Sequence, residues 1–386
     1  MNTTSPADRP RVRADAIAQL FAARHGRQPR QFRAPGRINL IGEHTDYSEG
    51  FVMPAAIDRH CHVAAAAADH GMIRLYSANM DEEASLPLDS FDRRGGWTDY
   101  VSGVCATLHA AGIAVPGCDL VIESDVPLGA GVSSSAALEV AVTLALVRLA
   151  GANVADGDIA RWAHAAESTH VGVPCGPMDQ FISVHGRAGH ALMLDCRTMT
   201  TEPVAIPPGV TFLLINSGVK HALVDGGYKS RRDECAAAAE RLCVNSLRDA
   251  TPEALAMAAL PETLRRRTRH VVTENARVRA AADALQTGDA AAMGALMTLS
   301  HASLRDDFAV TCAETDALAR IAAEIPGVHG ARQMGGGFGG CVIALADTEV
   351  AAAAARHIRD GYRTVTGITA KTLTCVLVDG AREVTP

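Results

Sequence analysis

The sequence predicts an α+β fold in two domains, and three observations carry that prediction. At 386 residues and 48% hydrophobic composition the chain can bury a large core, yet it is long for a single domain. Its front is rich in strand-like alternation, whereas residues 233–320 are alanine- and arginine-rich with helical spacing. The proline pair Pro207-Pro208 stands between them, just before a strand-like run at 210–215, which places the domains at 11–205 and 206–386.

In chain order, a helix is expected over 14–24, then a strand pair at 63–68 and 73–77 joined by a turn at Asp69-His70-Gly71. A helix over 97–111 ends at Gly112, a strand follows at 119–124, and a long apolar helix over 133–150 is closed by Gly151. Helices are expected over 158–169 and 178–184. The chain then finishes with a glycine-rich turn, a strand at 342–345, a helix at 349–359 and a strand at 372–378. No internal repeat interrupts this order.

The composition excludes several classes. A formal net charge of -7 argues against nucleic-acid binding, which needs clustered unpaired Lys and Arg. The one basic run, Arg265-Arg266-Arg267, has Glu262 and Glu274 nearby and reads as a solvated helix face. The longest apolar stretch, 136–147, is interrupted by Glu139 and ended by Arg148, too short to span a membrane. Ten cysteines are scattered without a C-x-x-C pair, so reduced thiols and a cytoplasmic setting are expected. The N-terminal MNTTSPADRP lacks the apolar core of a signal peptide and is expected to be a frayed tail.

Chemistry concentrates in a few short segments. Arg37 precedes and Gly42-Glu43-His44-Thr45-Asp46-Tyr47 follows the apolar Ile38-Leu40-Ile41 run, either a recognition loop for a hydroxyl-rich ligand or a solvated turn. Gly129-Ala130-Gly131-Val132-Ser133-Ser134-Ser135 lies between a strand and an apolar helix. Glycines there let backbone amides approach an anion and the helix N-terminus adds its dipole, although an N-capped helix after a turn also accounts for Gly and Ser. Glu167 and Asp179 are the acids that could serve this loop: a serine with a glutamate suits magnesium, and an aspartate in a rigid Gly- and Pro-rich stretch suits proton acceptance or a helix N-terminus. Met334 to Gly340 holds five glycines around Phe338 and abuts a buried strand, which favours close backbone approach to a ligand or another loop. Tyr228, in Gly226-Gly227-Tyr228-Lys229, is either a pocket or a surface residue.

The ordered set GRINLIGEHTDY, PLGAGVSSSAALEV, CGPMDQFIS, NSGVKHALVDGGYKSRRDEC and GGGFGGC, with SHASLRDDF at 300–308 as a sixth motif, resembles the galactokinase family. That family belongs to a small-molecule kinase superfamily that also holds homoserine, mevalonate and phosphomevalonate kinases. The resemblance runs from Arg33 to about Val378. It implies a two-domain small-molecule kinase fold, an N-terminal α/β domain and a C-terminal ferredoxin-like domain with the active site between them. It further implies that ATP phosphates sit on Gly129 to Ser135, that Ser135 and Glu167 hold Mg2+, and that Trp97 flanks the adenine. Glu43, His44, Asp46, Gly176 and Tyr228 would line galactose, with Asp179 and Arg37 at its C1 hydroxyl.

Two departures from the family pattern stand out: Pro177 replaces an apolar residue, and Gln333-Met334 replaces a Met-Thr pair, removing a hydroxyl. Thr45 favours unsubstituted galactose over N-acetylgalactosamine, the alternative substrate among sugar 1-kinases. A non-catalytic galactose and ATP sensor is a further alternative, but such proteins tend to have a shortened serine loop, and Ser133 to Ala137 is complete here. The expected partners are galactose and MgATP, with no nucleic acid and no membrane; a monomer is expected, although no residue pattern fixes the oligomeric state.

Overall fold

The computed structural model describes residues 14–220 and 224–384. The expected N-terminal tail and the centre of the NSGVKHALVDGGYKSRRDEC motif, residues 221–223, lie outside the described residues. The strands are β1 (Arg30–Asn39), β2 (Phe51–Val52), β3 (Pro54–Ala67), β4 (Met72–Ser77), β5 (Glu82–Pro87), β6 (Cys118–Ser124), β7 (His190–Asp195), β8 (Thr200–Ala205), β9 (Val210–Lys220), β10 (Val328–Met334), β11 (Gly339–Asp347), β12 (Lys371–Cys375) and β13 (Arg382–Val384). The α-helices are α1 (Ala14–His25), α2 (Thr98–Ala110), α3 (Ser134–Leu149), α4 (Asp156–Ala165), α5 (Met178–His185), α6 (Val224–Arg241), α7 (Pro252–Met257), α8 (Glu262–Gln286), α9 (Ala290–Ser303), α10 (Ala313–Ala323) and α11 (Ala351–Thr366).

The first sheet runs β13-β1-β3-β6-β4-β5 and is antiparallel except where β4 meets β6. Helix α1 covers one face, seating Ile17 and Phe21 against Ala64 and Val121. The other face packs on α2 to α5 through residues such as Val104, Val140, Leu146 and Phe181. Helix α3 is apolar on nearly every side and is correspondingly buried along most of its length. A three-stranded sheet, β2-β7-β8, flanks this layer.

The second half folds as strand, helices, strand, strand, helix, strand. Its sheet has the order β10-β11-β9-β12 with every pairing antiparallel, which is the ferredoxin-like arrangement. Helices α10 and α11 cover one face, burying Leu318, Ile321, Ile358 and Tyr362 on Leu213 and Ile215. The main core does not stop at this junction: Val278, Met293, Met334 and Ile343 pack in the same cluster as Ile38, Val140 and Leu146.

Three expectations are corrected. The strands at 63–68 and 73–77 form no hairpin, because β6 lies between them, antiparallel to β3 and parallel to β4. The chain end leaves the second sheet after β12, and β13 pairs with β1. The arginine run is no solvated face: Arg267 is buried, with Nε donating to Glu234 at 2.6 Å. Strands β5, β7, β8, β10 and β13 were not expected from the sequence pattern.

Candidate active site

The site begins at an irregularity in β1. Pairing with β3 shifts register between Pro35 and Arg37, and a bulge of this kind re-aims the side chains beyond it. Gly36 permits close approach there, since a Cβ would fall 2.7 Å from the Val132 carbonyl oxygen. The Arg37 amide donates to that carbonyl at 3.1 Å, and its guanidinium donates to the Gly131 carbonyl. The guanidinium also grips Asp179, Nε to Oδ1 at 2.9 Å and Nη2 to Oδ2 at 3.0 Å, a two-pronged charged pair that fixes both partners. Ser133 donates its hydroxyl to the same Oδ2. Asp179 is the second residue of α5 and keeps 26% of its side chain open, so the fixed carboxylate still faces the cleft.

All five expected sugar contacts, Arg37, Asp179 and Glu167 line one cavity of about 410 Å³. Glu43 reaches into the second half of the chain, accepting from the Gly335 amide at 2.8 Å and pairing with Arg332 Nη2 at 3.1 Å. His44 has φ 60° and its ring shares a 3.0 Å hydrogen bond with the Tyr47 hydroxyl. The Tyr228 and Phe308 rings lie 5.3 and 4.9 Å from it. Burial pushes the His44 imidazole down to about 3, with His270 and Arg231 adding to the effect, so the ring is neutral at ordinary pH. Burial and then the Asp179 charge push the Asp46 carboxyl up to about 7. Gly176 makes room for that carboxyl: a Cβ would fall 2.3 Å from Asp46 Oδ2. Tyr228 is thereby a pocket residue.

The glycine loop joins β6 to α3 and is anchored through its carbonyls. Besides the two accepting from Arg37, the Ala130 carbonyl accepts from the Cys341 thiol at 2.9 Å. With those oxygens turned inward, and Gly129, Gly131 and Ser133 at φ 69°, 68° and 61°, the loop is held in left-handed conformations suited to presenting amides. Trp97, Tyr100, Leu128, Ser134 and Ser135 border a second cavity of about 290 Å³. Ser135 borders this cavity and Glu167 the first, and the Ser135 hydroxyl is near enough to Glu167 to lower its carboxyl, so the two cavities meet at this pair. Glu167 sits in a π-helical turn, Ala166–Val171, and burial raises its carboxyl while Ser135 and Gln180 pull the other way. Its oxygens and the Ser135 hydroxyl are hard donors of the kind that would suit magnesium.

Two positions singled out in the sequence serve the framework of the site. Thr45 points into its own loop, with Oγ1 2.9 Å from the Gly42 carbonyl and 2.7 Å from that of Phe51, so it shapes the loop instead of touching the cavity. Met334, at the place where the family pattern has a threonine, accepts from the Asn39 amide through its sulfur at 3.1 Å.

Sequence reasoning missed the supports beneath the loop. Arg332 is fully buried in β10 and also donates to the Asn39 carbonyl at 2.8 Å. Glu274 on α8 accepts from the Gly42 amide at 3.0 Å and from Ser300 at 2.6 Å. Burial would raise its carboxyl, but Arg277, His270 and Arg332 outweigh this and bring it down to about 2. The SHASLRDDF motif supplies Ser300, His301, which accepts from the Gln333 amide at 3.1 Å, and Phe308. The signal available for Arg332 was its place two residues before the five-glycine loop.

Three family models match the chain: the galactokinase galactose-binding signature at residues 19–67, the GHMP kinases N terminal domain at 99–187 and the GHMP kinases C terminal at 281–364. The galactokinase of Roseiflexus sp. (strain RS-1) is 42% identical over 377 residues, covering 95% of this chain and 96% of that one. That of Chloroflexus aggregans is 44% identical over 369 residues, covering 93% and 95%. Among solved structures, Lactococcus lactis galactokinase complexed with galactose superposes with a TM-score of 0.92 at 33% identity, covering 96% of this chain and 99% of that one. A mevalonate kinase at 16% identity and TM-score 0.66 shares the fold. With a galactose-binding signature over the Arg37 segment and full-length relatives above 40% identity, the chain belongs to the galactokinase family.

Proposed function

We infer that the protein transfers the γ-phosphoryl group of ATP to the C1 hydroxyl of α-D-galactose, giving galactose 1-phosphate and ADP. The observation that carries this reading is the meeting of the two cavities. Asp179, beside the five sugar residues, is hydrogen-bonded to Ser133 of the phosphate loop, and Ser135 of that loop neighbours Glu167. Galactose then occupies the larger cavity against Glu43, His44, Asp46, Gly176 and Tyr228. The nucleotide lies along Gly129 to Ser135 with its base toward Trp97.

Ser135 and Glu167 are the residues that would hold Mg2+, which when bound supplies charge neutralisation at the transferring phosphates. Phosphoryl transfer passes through a loose transition state, so alignment and charge stabilisation carry most of the catalysis. Asp179 orients the C1 hydroxyl and accepts its proton as the bond to phosphorus forms. Arg37 fixes both oxygens of that carboxylate and places a positive charge between the base and the glycine loop. The loop amides stabilise charge on the phosphoryl oxygens. The neutral His44 ring and the Tyr228 ring wall the sugar from water.

The organisation we propose for this reaction is an N-terminal unit over 11–205 and a C-terminal unit over 206–386, the last strand of which returns to β1. Among the described residues no helix is long and apolar enough to cross a membrane. The ten free thiols suit a reducing, cytoplasmic setting.

An ATP-consumption assay across a sugar panel tests the reading. Galactose should have the highest kcat/KM, and a value for N-acetylgalactosamine equal to or above it would replace the substrate. Asp179→Asn should lower kcat at least about a hundredfold with a smaller change in galactose KM. Near wild-type turnover in that variant would remove Asp179 as the proton acceptor.

A further inference from the structure

Behind Glu167 lies a buried polar chain that takes no part in the phosphoryl transfer just described. Gln180 and Glu139 are fully buried, and Glu167 is 6% exposed. The Gln180 carboxamide nitrogen donates both its hydrogens to carboxylates, to Glu139 Oε2 at 2.9 Å and to Glu167 Oε2 at 2.6 Å. The arrangement has a cost, since Gln180 Oε1 and Glu139 Oε1 are both buried without a hydrogen-bond partner. A methionine or leucine would fill either position without that penalty, so burial alone gives no reason for a carboxyl and a carboxamide here.

The placement supplies a reason. Glu139 is one turn beyond Ser135 on α3, the helix that the glycine loop opens. Gln180 follows Asp179 on α5, and the 100° step between successive helical residues turns Asp179 toward Arg37 and Gln180 toward Glu139. Glu167 stands on the π-helical turn between them in sequence. One carboxamide therefore ties together the phosphate-loop helix, the helix of the proton acceptor and the turn bearing a cation ligand. On Glu167 it takes Oε2, which also accepts from the Cys175 thiol at 3.7 Å, leaving the other oxygen for a cation shared with Ser135.

We propose that Gln180, braced by Glu139, is a positioning residue that sets which oxygen of Glu167 meets the divalent cation and how rigidly it is held. The proposal rests on the reading that Ser135 and Glu167 hold magnesium. Groups that orient a metal ligand from behind typically govern affinity as strongly as a weak ligand does.

The test uses the full chain and a non-hydrolysable ATP analogue, with binding measured by calorimetry across a Mg2+ titration and galactose binding measured separately. Gln180→Met and Glu139→Met should raise the Mg2+ concentration needed for analogue binding by about tenfold or more, leaving galactose affinity within about twofold. Glu139→Gln keeps an acceptor for Gln180 and should recover most of the Mg2+ dependence, which a merely space-filling role would not require. An unmoved Mg2+ titration in Gln180→Met, with only the thermal midpoint changed, would overturn the proposal. Should Gln180→Met fail to fold, equal Mg2+ titrations for Glu139→Gln and Glu139→Met would overturn it instead. Failure of the underlying reading looks different: wild-type protein would then bind the analogue equally well with and without Mg2+.

Discussion

At the proposed sugar end of the cleft, the wall is built from side chains whose positions are set by buried charge. Glu43 is held by Arg332 from β10, and the Gly42 amide by Glu274 from α8, so residues more than 200 positions apart define one loop. At the nucleotide end the loop is held by its own carbonyls, and the wall is apolar and more open, with Leu128 49% exposed. The difference follows from the ligands. A sugar is told from its isomers by the direction of its hydroxyls, and a site with fixed buried polar groups penalises the wrong one because a partner is left unpaired. Phosphates present charge that backbone amides satisfy without side-chain specificity, and an adenine needs a flat surface.

The sharpest break of this contrast is Arg332→Met. It leaves Glu43 buried with the Gly335 amide and no cation in contact, and removing one member of a buried pair costs about 3–5 kcal/mol. Denaturant unfolding should register that loss, and galactose KM should rise more than ATP KM. A stability change under about 1 kcal/mol with galactose KM unmoved would show that Glu43 is placed by its loop alone.

Trp97→Ala probes the other end and should do less. The indole is partly buried and its Nε1 donates to Glu82 at 2.9 Å, so a well-packed surface is lost but no buried charge is stranded. ATP KM should rise about fivefold, the equivalent of about 1 kcal/mol, with galactose KM within about twofold. A larger effect on galactose than on ATP would move the adenine elsewhere.

The same contrast explains what could be read from the sequence. The glycine loop was legible because its function lies in local geometry, strand then glycines then helix, and local geometry is written in consecutive residues. Arg37, Asp179 and Glu167 were legible as unusual polar residues in apolar or rigid surroundings. Arg332 and Gln180 were not, since each looks like an ordinary polar residue beside another, Gln333 or Asp179, until a distant partner is placed against it. Sheet order was hidden for a similar reason: β3 and β4 are adjacent in sequence with a fitting turn, yet β6 inserts between them, antiparallel to β3 and parallel to β4. Nothing in three residues at the end of the chain announces that β13 will cross back to β1.

Asp46 offers the finest test of how the sugar end is poised. Its carboxyl titrates near 7 in the folded protein against 3.8 for the ordinary group, first because it is buried and then because Asp179 and Glu43 add negative charge. The folded state therefore holds a proton that the unfolded state has released between about pH 4 and pH 7, and unligated protein should lose stability as pH rises through that window. Glu139 and Glu167 are shifted the same way and contribute to the same slope, whereas Glu274, brought from 4.5 down to about 2, gives up its stabilisation only as pH falls below about 4.5. Asp46→Asn removes one carboxyl and leaves the others, so a pH series of thermal midpoints should show a shallower decline in the variant than in wild type. Galactose, whose hydroxyls donate to the ionised carboxyl, should flatten the wild-type decline and do little to the variant. Parallel wild-type and variant profiles would mean that the Asp46 carboxyl is already ionised before the sugar arrives, and that the sugar end is as open to water as the nucleotide end.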